Sequence, residues 1–334
     1  MFRSALRRCL FATACLLSFL SAANVARADE ADDLAGAIVA HIRERWPAVA
    51  PPTAADENRV TAFARYILSR FYYPASPGDL KAAALSAVDS TDAPTNASVL
   101  VQAAMAAIVN SLGHGARLLT TLGGSVSAEE GTSAAPSSRQ LGSLRLVALP
   151  TMNVSDANTV HACSDFVRYF DGQSGDGVTG YVLDLRGNEG GPLTDSSCVA
   201  GLFLKSGQQL FQVVNKQGEL VKYQSESKGH KPIGLPLAVL IDSHTDSGGL
   251  LVAAVLQDHR RATVIGEQKA GVNGAVSSLL FPPGANRAVV LPTGEILLPD
   301  KRPLAAGVHV DIPVPAHDDQ ALLNAAQTYL AQQR

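Results

Sequence analysis

A hydroxyl nucleophile and a pair of backbone N–H groups can attack a carbonyl and hold the oxyanion that forms, and two stretches of this chain bring such groups together. In Gly180-Tyr-Val-Leu-Asp-Leu-Arg-Gly-Asn-Glu-Gly-Gly191, a strand pattern from Tyr181 to Leu185 runs into a polar turn that ends in two glycines. In the second stretch the apolar run Leu237-Ala-Val-Leu-Ile241 enters Asp242-Ser-His-Thr-Asp-Ser-Gly-Gly249. A helical pattern follows each turn. Two strand–turn–helix units with glycine at the helix start place free N–H groups beside a serine. The candidate nucleophile is Ser247, and the candidate donors are the N–H groups of Gly190, Gly191 and Gly248. Glycine lets a carbonyl approach the backbone closely. By position alone Ser247 reads first as an ordinary helix N-cap. Asp184, Arg186 and Asn188 read as residues that hold the first turn by hydrogen bonds.

Asp184-Leu-Arg-Gly-Asn-Glu-Gly-Gly191 resembles the signature turn of the tail-specific (carboxyl-terminal-processing) serine peptidases. Thr245-Asp-Ser-Gly-Gly249, followed by Leu256-Gln-Asp258, is similar to that family's nucleophile segment. Gly266-Glu-Gln-Lys-Ala-Gly-Val-Asn-Gly274 resembles its next turn, and Gly307-Val-His-Val-Asp-Ile-Pro313 its closing segment. The four fall in the family's order and cover roughly residues 141–315. The resemblance implies Ser247 as the nucleophile, a crotonase-like spiral of ββα units, and a peptide or protein substrate. It implies no organic cofactor and no metal.

The resemblance departs at the general base. Aligned on Gly266-Glu267 and Gly271, the family's usual lysine position is Val272 and its supporting glutamine position is Val276. Three groups remain as alternatives. Lys269 lies three residues early in the same turn and serves if burial depresses its pKa, although a turn lysine is ordinarily solvated. His114, in Ser111-Leu-Gly-His-Gly-Ala-Arg117, resembles the histidine segment of branches that lack the lysine; it equally suits the C-terminal end of a helix. His244 sits three residues before Ser247 and reads as part of the turn. Asp246 and Glu267 are the nearest acids by sequence for orienting a histidine.

The elements that must position these groups follow from periodicity. Leu34, Ile38 and Ile42, then Val60, Phe63, Ile67 and Phe71, predict helices over 31–46 and 56–72. Further helices are expected near 79–88 and over 97–112. Residues 122–140 read as a loop rich in Gly, Ser, Ala and Glu. They leave no room for the PDZ domain that the family often carries there. From 141 onward strand candidates (Leu144–Leu149, Tyr181–Leu185, Leu237–Ile241, Thr263–Ile265, Val276–Phe281, Ala288–Leu291) alternate with helix candidates (155–170, 193–204, 248–258, 317–331). That alternation argues for an α/β domain. The expected organisation is a signal peptide over 1–28, a small helical domain over 29–121, the loop 122–140, the α/β domain over 141–315 and a C-terminal helix over 316–334.

The start of the chain, Met1 to Arg8, is basic; an apolar run from Cys9 to about Leu20 and then Ala26-Arg-Ala28 follow. These are the three parts of a secretory signal peptide, and the run is short of the ~20 residues of a membrane span. A periplasmic or extracellular location is expected, with no span left after cleavage. Losing 1–28 removes Arg3, Arg7, Arg8 and Arg27 and no acid, moving the net charge from −3 to −7. An acidic chain without a basic block argues against nucleic acid as a partner. Cys163 and Cys198 then remain, either one disulfide or two separate thiols. Neither has metal-ligand spacing with a histidine. The functional expectation is an exported serine peptidase. The alternatives are a catalytically inactive relative that binds or scaffolds peptides, motivated by Val272, Val276 and Gly249-Leu250, and a crotonase-like enzyme acting on a thioester.

Overall fold

Apolar residues at helical spacing fold into helices that bury those residues against each other. The computed structural model describes residues 29–119, 121–122, 125–126, 136–152, 166, 169–170, 177–226, 231–267 and 273–333. They fall into two units, Met1–Glu129 with Ser277–Thr293, and Glu130–Val276 with Gly294–Arg334.

The smaller unit carries helices α1 (29–45), α2 (Ala54–Arg70), α3 (Pro77–Asp89) and α4 (Ala97–Ser111). Their starts are set by local chemistry. Thr53 and Asp56 form a reciprocal capping box before α2, Ser76 caps α3 with Pro77 behind it, and Asn96 caps α4. Ile38, Phe63, Ile67, Leu100 and Ile108 are fully buried together. Strand β1 (Arg117–Leu118) pairs antiparallel with the first part of β12 (Val289–Leu297), which also pairs with β11 (Ala275–Leu280). The two-residue strands β2 (Thr121–Leu122) and β3 (Ser125–Val126) pair with each other. Residues 277–293, read from sequence as part of the α/β domain, group instead with the helices. The reason is packing: Val289 and Leu291 are buried in the helical core.

The larger unit is built on a six-stranded sheet in the order β13-β10-β9-β6-β5-β4. These are β4 (Ser137–Leu141), β5 (Leu144–Ala148), β6 (Gly180–Asp184), β9 (Leu237–Ile241), β10 (Thr263–Gly266) and β13 (Ile312–Pro313). All neighbours are parallel except β4 and β5. Side chains alternate between two cores. Leu183, Val239 and Ile241 face one that includes α5 (Leu193–Gly201) and α6 (Ser247–Asp258); Val182, Ala238 and Leu240 face another completed by Leu322, Ala326 and Leu330 of α7 (Asp319–Ala331). Burial on both faces explains why the central strands read as continuous apolar runs. Strand β4 corrects the loop expected over 122–140: its Ser-Ser-Arg-Gln-Leu sequence has no apolar signal, and pairing with β5 makes it a strand. A hairpin of β7 (Gln209–Asn215) and β8 (Leu220–Gln224) pairs through β7 with the last part of β12; sequence periodicity did not reveal it. Most of the helix expected at 155–170 lies outside the described residues.

Candidate active site

Strands β6 and β9 are parallel neighbours in register, with Tyr181 opposite Leu237 and Asp184 opposite Leu240. Their carboxyl ends therefore lie side by side, and the turn leaving each meets the other. This is where open parallel sheets gather chemistry.

The first turn is held from within. Asp184 takes two hydrogen bonds from the Arg186 guanidinium, at 2.8 and 2.7 Å, and Arg186 also pairs with Asp319. The Asp184 carboxylate is the main influence raising the Arg186 pKa further above its already high value. Asn188 is fully buried. Its Nδ2 donates to Leu149 O at 2.7 Å and its Oδ1 accepts from Gly190 N at 2.9 Å. The carbonyl of Gly190 accepts from Met152 N at 3.0 Å. Thus Asp184, Arg186 and Asn188 form the frame of the turn. The N–H of Gly190 is consumed by that frame, so it is not free to serve as an oxyanion donor. The N–H of Gly191 makes no hydrogen bond to a described residue.

The second turn is held by Asp242. Its Oδ1 accepts from the N–H of His244 and Thr245, from Thr245 Oγ1, and across the gap from Gly187 N at 2.9 Å. Burial alone would raise its pKa, but these hydrogen bonds outweigh burial and hold the carboxyl below its ordinary value. Thr245 is fully buried and donates to Leu185 O at 2.8 Å. Asp246 N donates to Asn188 O at 2.9 Å, so three hydrogen bonds tie the two turns together.

Ser247 stands where this turn becomes α6. Its φ is +47°, a left-handed conformation that a residue with a Cβ adopts at a cost of about 1–3 kcal/mol. Asp246 caps the helix. Its Oδ1 accepts from Ser247 N at 2.8 Å and from Asn273 N at 2.9 Å, so it pins the strained residue to the start of the segment leading into β11. The hydroxyl of Ser247 has no hydrogen bond to a described residue, which a capping serine would have. Directly behind it, Gly248 N is one of the unpaired donors of the helix start.

Two glycines make the approach possible. A methyl group at Gly190 would lie 2.7 Å from both Gly248 N and Ser247 Cβ. One at Gly248 would lie 2.5 Å from Ser196 Oγ and 3.3 Å from Gly191 N. The N–H groups of Gly191 and Gly248 and the Ser247 hydroxyl, none of them hydrogen-bonded to a described residue, thus lie close together, walled by Met152 and Ser196. Sequence reading missed those two walls because they come from other segments. The Asp242–Thr245 spacing, an acid followed three residues on by a hydroxyl in a turn, is the signal that could have announced the second frame.

The other predicted groups fall as follows. His244 is 72% exposed, its Nδ1 3.8 Å from Asp242 Oδ2, and belongs to the turn. Asp246 acts as the cap just described, and Glu267 is exposed. Lys269 and Val272 lie outside the described residues, while Val276 packs on the core of the larger unit. His114, in the smaller unit, has φ +52° between two left-handed glycines, and its ring stacks on Tyr73 at 3.9 Å between centroids. Cys198 of α5 is disulfide-bonded; Cys163 lies outside the described residues. The remaining motif residues serve the scaffold. Asp311 Oδ2 accepts from Val264 N at 2.7 Å and from Gln257 Nε2 at 2.8 Å, joining the closing segment to α6 and β10. Among the described residues no cluster of His, Cys, Asp or Glu could hold a metal ion.

A serine in a strained strand-to-helix turn is a form that serine hydrolase nucleophiles take, and near Ser247 lie the N–H groups of Gly191 and Gly248, neither bonded to a described residue. The chain matches peptidase family S41 over residues 143–314, just over half its length, and belongs to that family. It is 39% identical over 118 residues to the carboxy-terminal-processing protease of Bartonella bacilliformis, an alignment covering 35% of this chain and 26% of that one. To the carboxyl-terminal-processing protease of Synechocystis it is 36% identical over 116 residues, covering 34% and 26%. The matched stretch therefore spans about a quarter of the length of these relatives. In fold, the chain is similar to a lipoprotein from Streptococcus agalactiae, with a TM-score of 0.65 at 15% identity over 86% of this chain and 99% of that one.

Proposed function

We propose that the protein is an exported serine peptidase that cleaves peptide bonds through an acyl-enzyme on Ser247. The observation that carries this reading is a strained Ser247 whose hydroxyl lies near the N–H groups of Gly191 and Gly248, all three without a hydrogen bond to a described residue. Ser247 Oγ attacks the carbonyl carbon and gives up its proton. The carbonyl oxygen becomes an oxyanion between the two donors. The tetrahedral adduct then expels the amine, which takes the proton, and water later hydrolyses the ester. Of the three basic groups the sequence offers, His244 is exposed and belongs to the turn, so the proton acceptor is His114 or Lys269, and substitution distinguishes them. Family membership supports the reaction class; the names of the relatives support polypeptide substrates. The signal-like residues 1–28 and the disulfide at Cys198 support export to an oxidising compartment. We also read the larger unit as a crotonase-like spiral, since strand-helix-strand-strand units recur from β6 through α5, β7 and β8 and from β9 through α6, β10 and β11.

The test is labelling of the purified protein with a fluorophosphonate, with the modified residue mapped by mass spectrometry. Modification at Ser247, absent in Ser247→Ala, is expected. Its loss in His114→Ala with retention in Lys269→Ala names the histidine as base, and the reverse names the lysine. Folded protein that takes no label at Ser247 sinks the peptidase reading in favour of a peptide-binding relative.

A further inference from the structure

The smaller unit carries a partly open cavity of about 80 Å³. Water needs about 10–15 Å³ by this kind of measure, so the space holds about five or more water-sized groups. Phe63, Met105, Ala106 and Leu118 give it apolar walls, and Gln102, Ala285 and Arg287 complete it. One of those groups has an unmet bonding need, and a second is a cation without a protein partner among the described residues. Gln102 Nε2 is buried and meets no acceptor among the described residues. A buried donor left unmade is costly, and such a group in a native fold calls for an explanation. Arg287 is exposed and has neither a hydrogen bond nor an ion pair with a described residue. The loop that carries it is fixed in place. Ala285 N donates to Pro282 O at 3.2 Å, and Gly284 lies so close to the stem of Arg59 that a side chain would not fit. Arg59 is itself tied to Ser98 Oγ at 3.1 Å.

We propose that this cavity binds a small monocarboxylate with an apolar tail. The tail packs against Phe63, Met105 and Leu118, and the carboxylate is shared by the Gln102 amide and the Arg287 guanidinium. A carboxylate brings acceptors and no donors, which is what an amide N–H and a guanidinium both require. The apolar walls exclude a polyanion, and the volume limits the tail to the size of a short acyl chain or one aliphatic side chain. Two sources carry this chemistry: a free short-chain acid, or the last residue of a polypeptide. The site stands on the smaller unit alone and holds whether or not Ser247 is a nucleophile.

Isothermal titration calorimetry on the whole purified chain tests it, with pentanoate, N-acetyl-leucine and N-acetyl-leucinamide as probes. One or both acids bind and the neutral amide does not. Pentanoate alone identifies the free-acid source; tighter N-acetyl-leucine identifies a chain end. Arg287→Ala, a surface change that leaves the melting temperature in place, weakens binding by about tenfold or more, and Gln102→Leu does the same. The proposal fails if neither acid binds at millimolar concentration. It fails equally if the amide binds as tightly as the acid, or if Arg287→Ala leaves Kd unchanged.

Discussion

The turn after β6 and the turn after β9 each follow an aspartate at a strand end, and each sends one buried polar side chain back into the sheet. Asn188 bonds Leu149 O and Thr245 bonds Leu185 O. They differ in what they leave over. In the first turn, Asp184 is satisfied by a side-chain cation and Asn188 captures the N–H of Gly190, while the N–H of Gly191 has no partner among the described residues. In the second, Asp242 is satisfied mainly by backbone N–H groups and Asp246 captures the N–H of Ser247, so what remains free is a hydroxyl. On the proposed mechanism, the same construction supplies the oxyanion donor in one place and the nucleophile in the other. The chemistry of such a site lies in the groups its frame does not consume.

The comparison breaks most sharply at the nucleophile. Ser247→Ala should lower kcat for peptide hydrolysis by about 10⁴-fold or more while the melting temperature barely moves, since the hydroxyl removed has no partner among the described residues. If hydrolysis survives, the second turn is not the nucleophilic one. Next come the glycines. Gly248→Ala should cost about 10²–10³ in kcat, because the added methyl meets Ser196 Oγ and shifts a donor. Adding Ser196→Gly should restore much of that. Gly190→Ala should lose as much and gain nothing from Ser196→Gly, because its methyl meets Gly248 N and Ser247 Cβ instead. Steady-state kinetics on the single and double variants separate the two cases.

Smaller effects sharpen the contrast between the frames. Thr245→Val removes a buried hydroxyl and leaves the Leu185 carbonyl without that donor, and should cost about 1–3 kcal/mol in chemical denaturation. The smallest expected effect is on pH. The Asp242 carboxyl is held below its ordinary value in the folded protein, so its contribution is complete above the unfolded value of about 3.9 and fades as pH falls through the folded one. The melting temperature should therefore fall more steeply below about pH 4 in the wild type than in Asp242→Asn. Equal slopes would mean that the hydrogen bonds to Asp242 add nothing to the second frame.

Much of this was legible in the sequence, for identifiable reasons. Helices α2 to α4 show their periodicity and caps openly, and β6 and β9 are apolar runs bounded by turn residues. Strand β8 was not legible because its residues are mostly exposed and show no alternation, and β4 carries its strand character in its neighbour rather than in itself. At the site, residue types pointed to Ser247, Gly191 and Gly248. They could not show that the Gly190 N–H is spent on Asn188, since that depends on a side chain whose rotamer is set by Leu149, 39 residues away. The grouping of 277–293 with the helices was hidden for the same reason, being decided by packing across a long stretch of chain.

That grouping has a consequence for how the chain is made. Helices α1 to α4 leave the ribosome early, yet Val289 and Leu291 belong to their core and are translated much later. At about 5–20 residues per second, roughly nine to thirty-six seconds separate the end of α4 from these residues. Through that interval the helices carry an apolar surface that nothing of their own unit covers. The helices of the smaller unit are thus made well before the strand residues that complete their core, and the unit cannot finish folding until Leu291 has been synthesised.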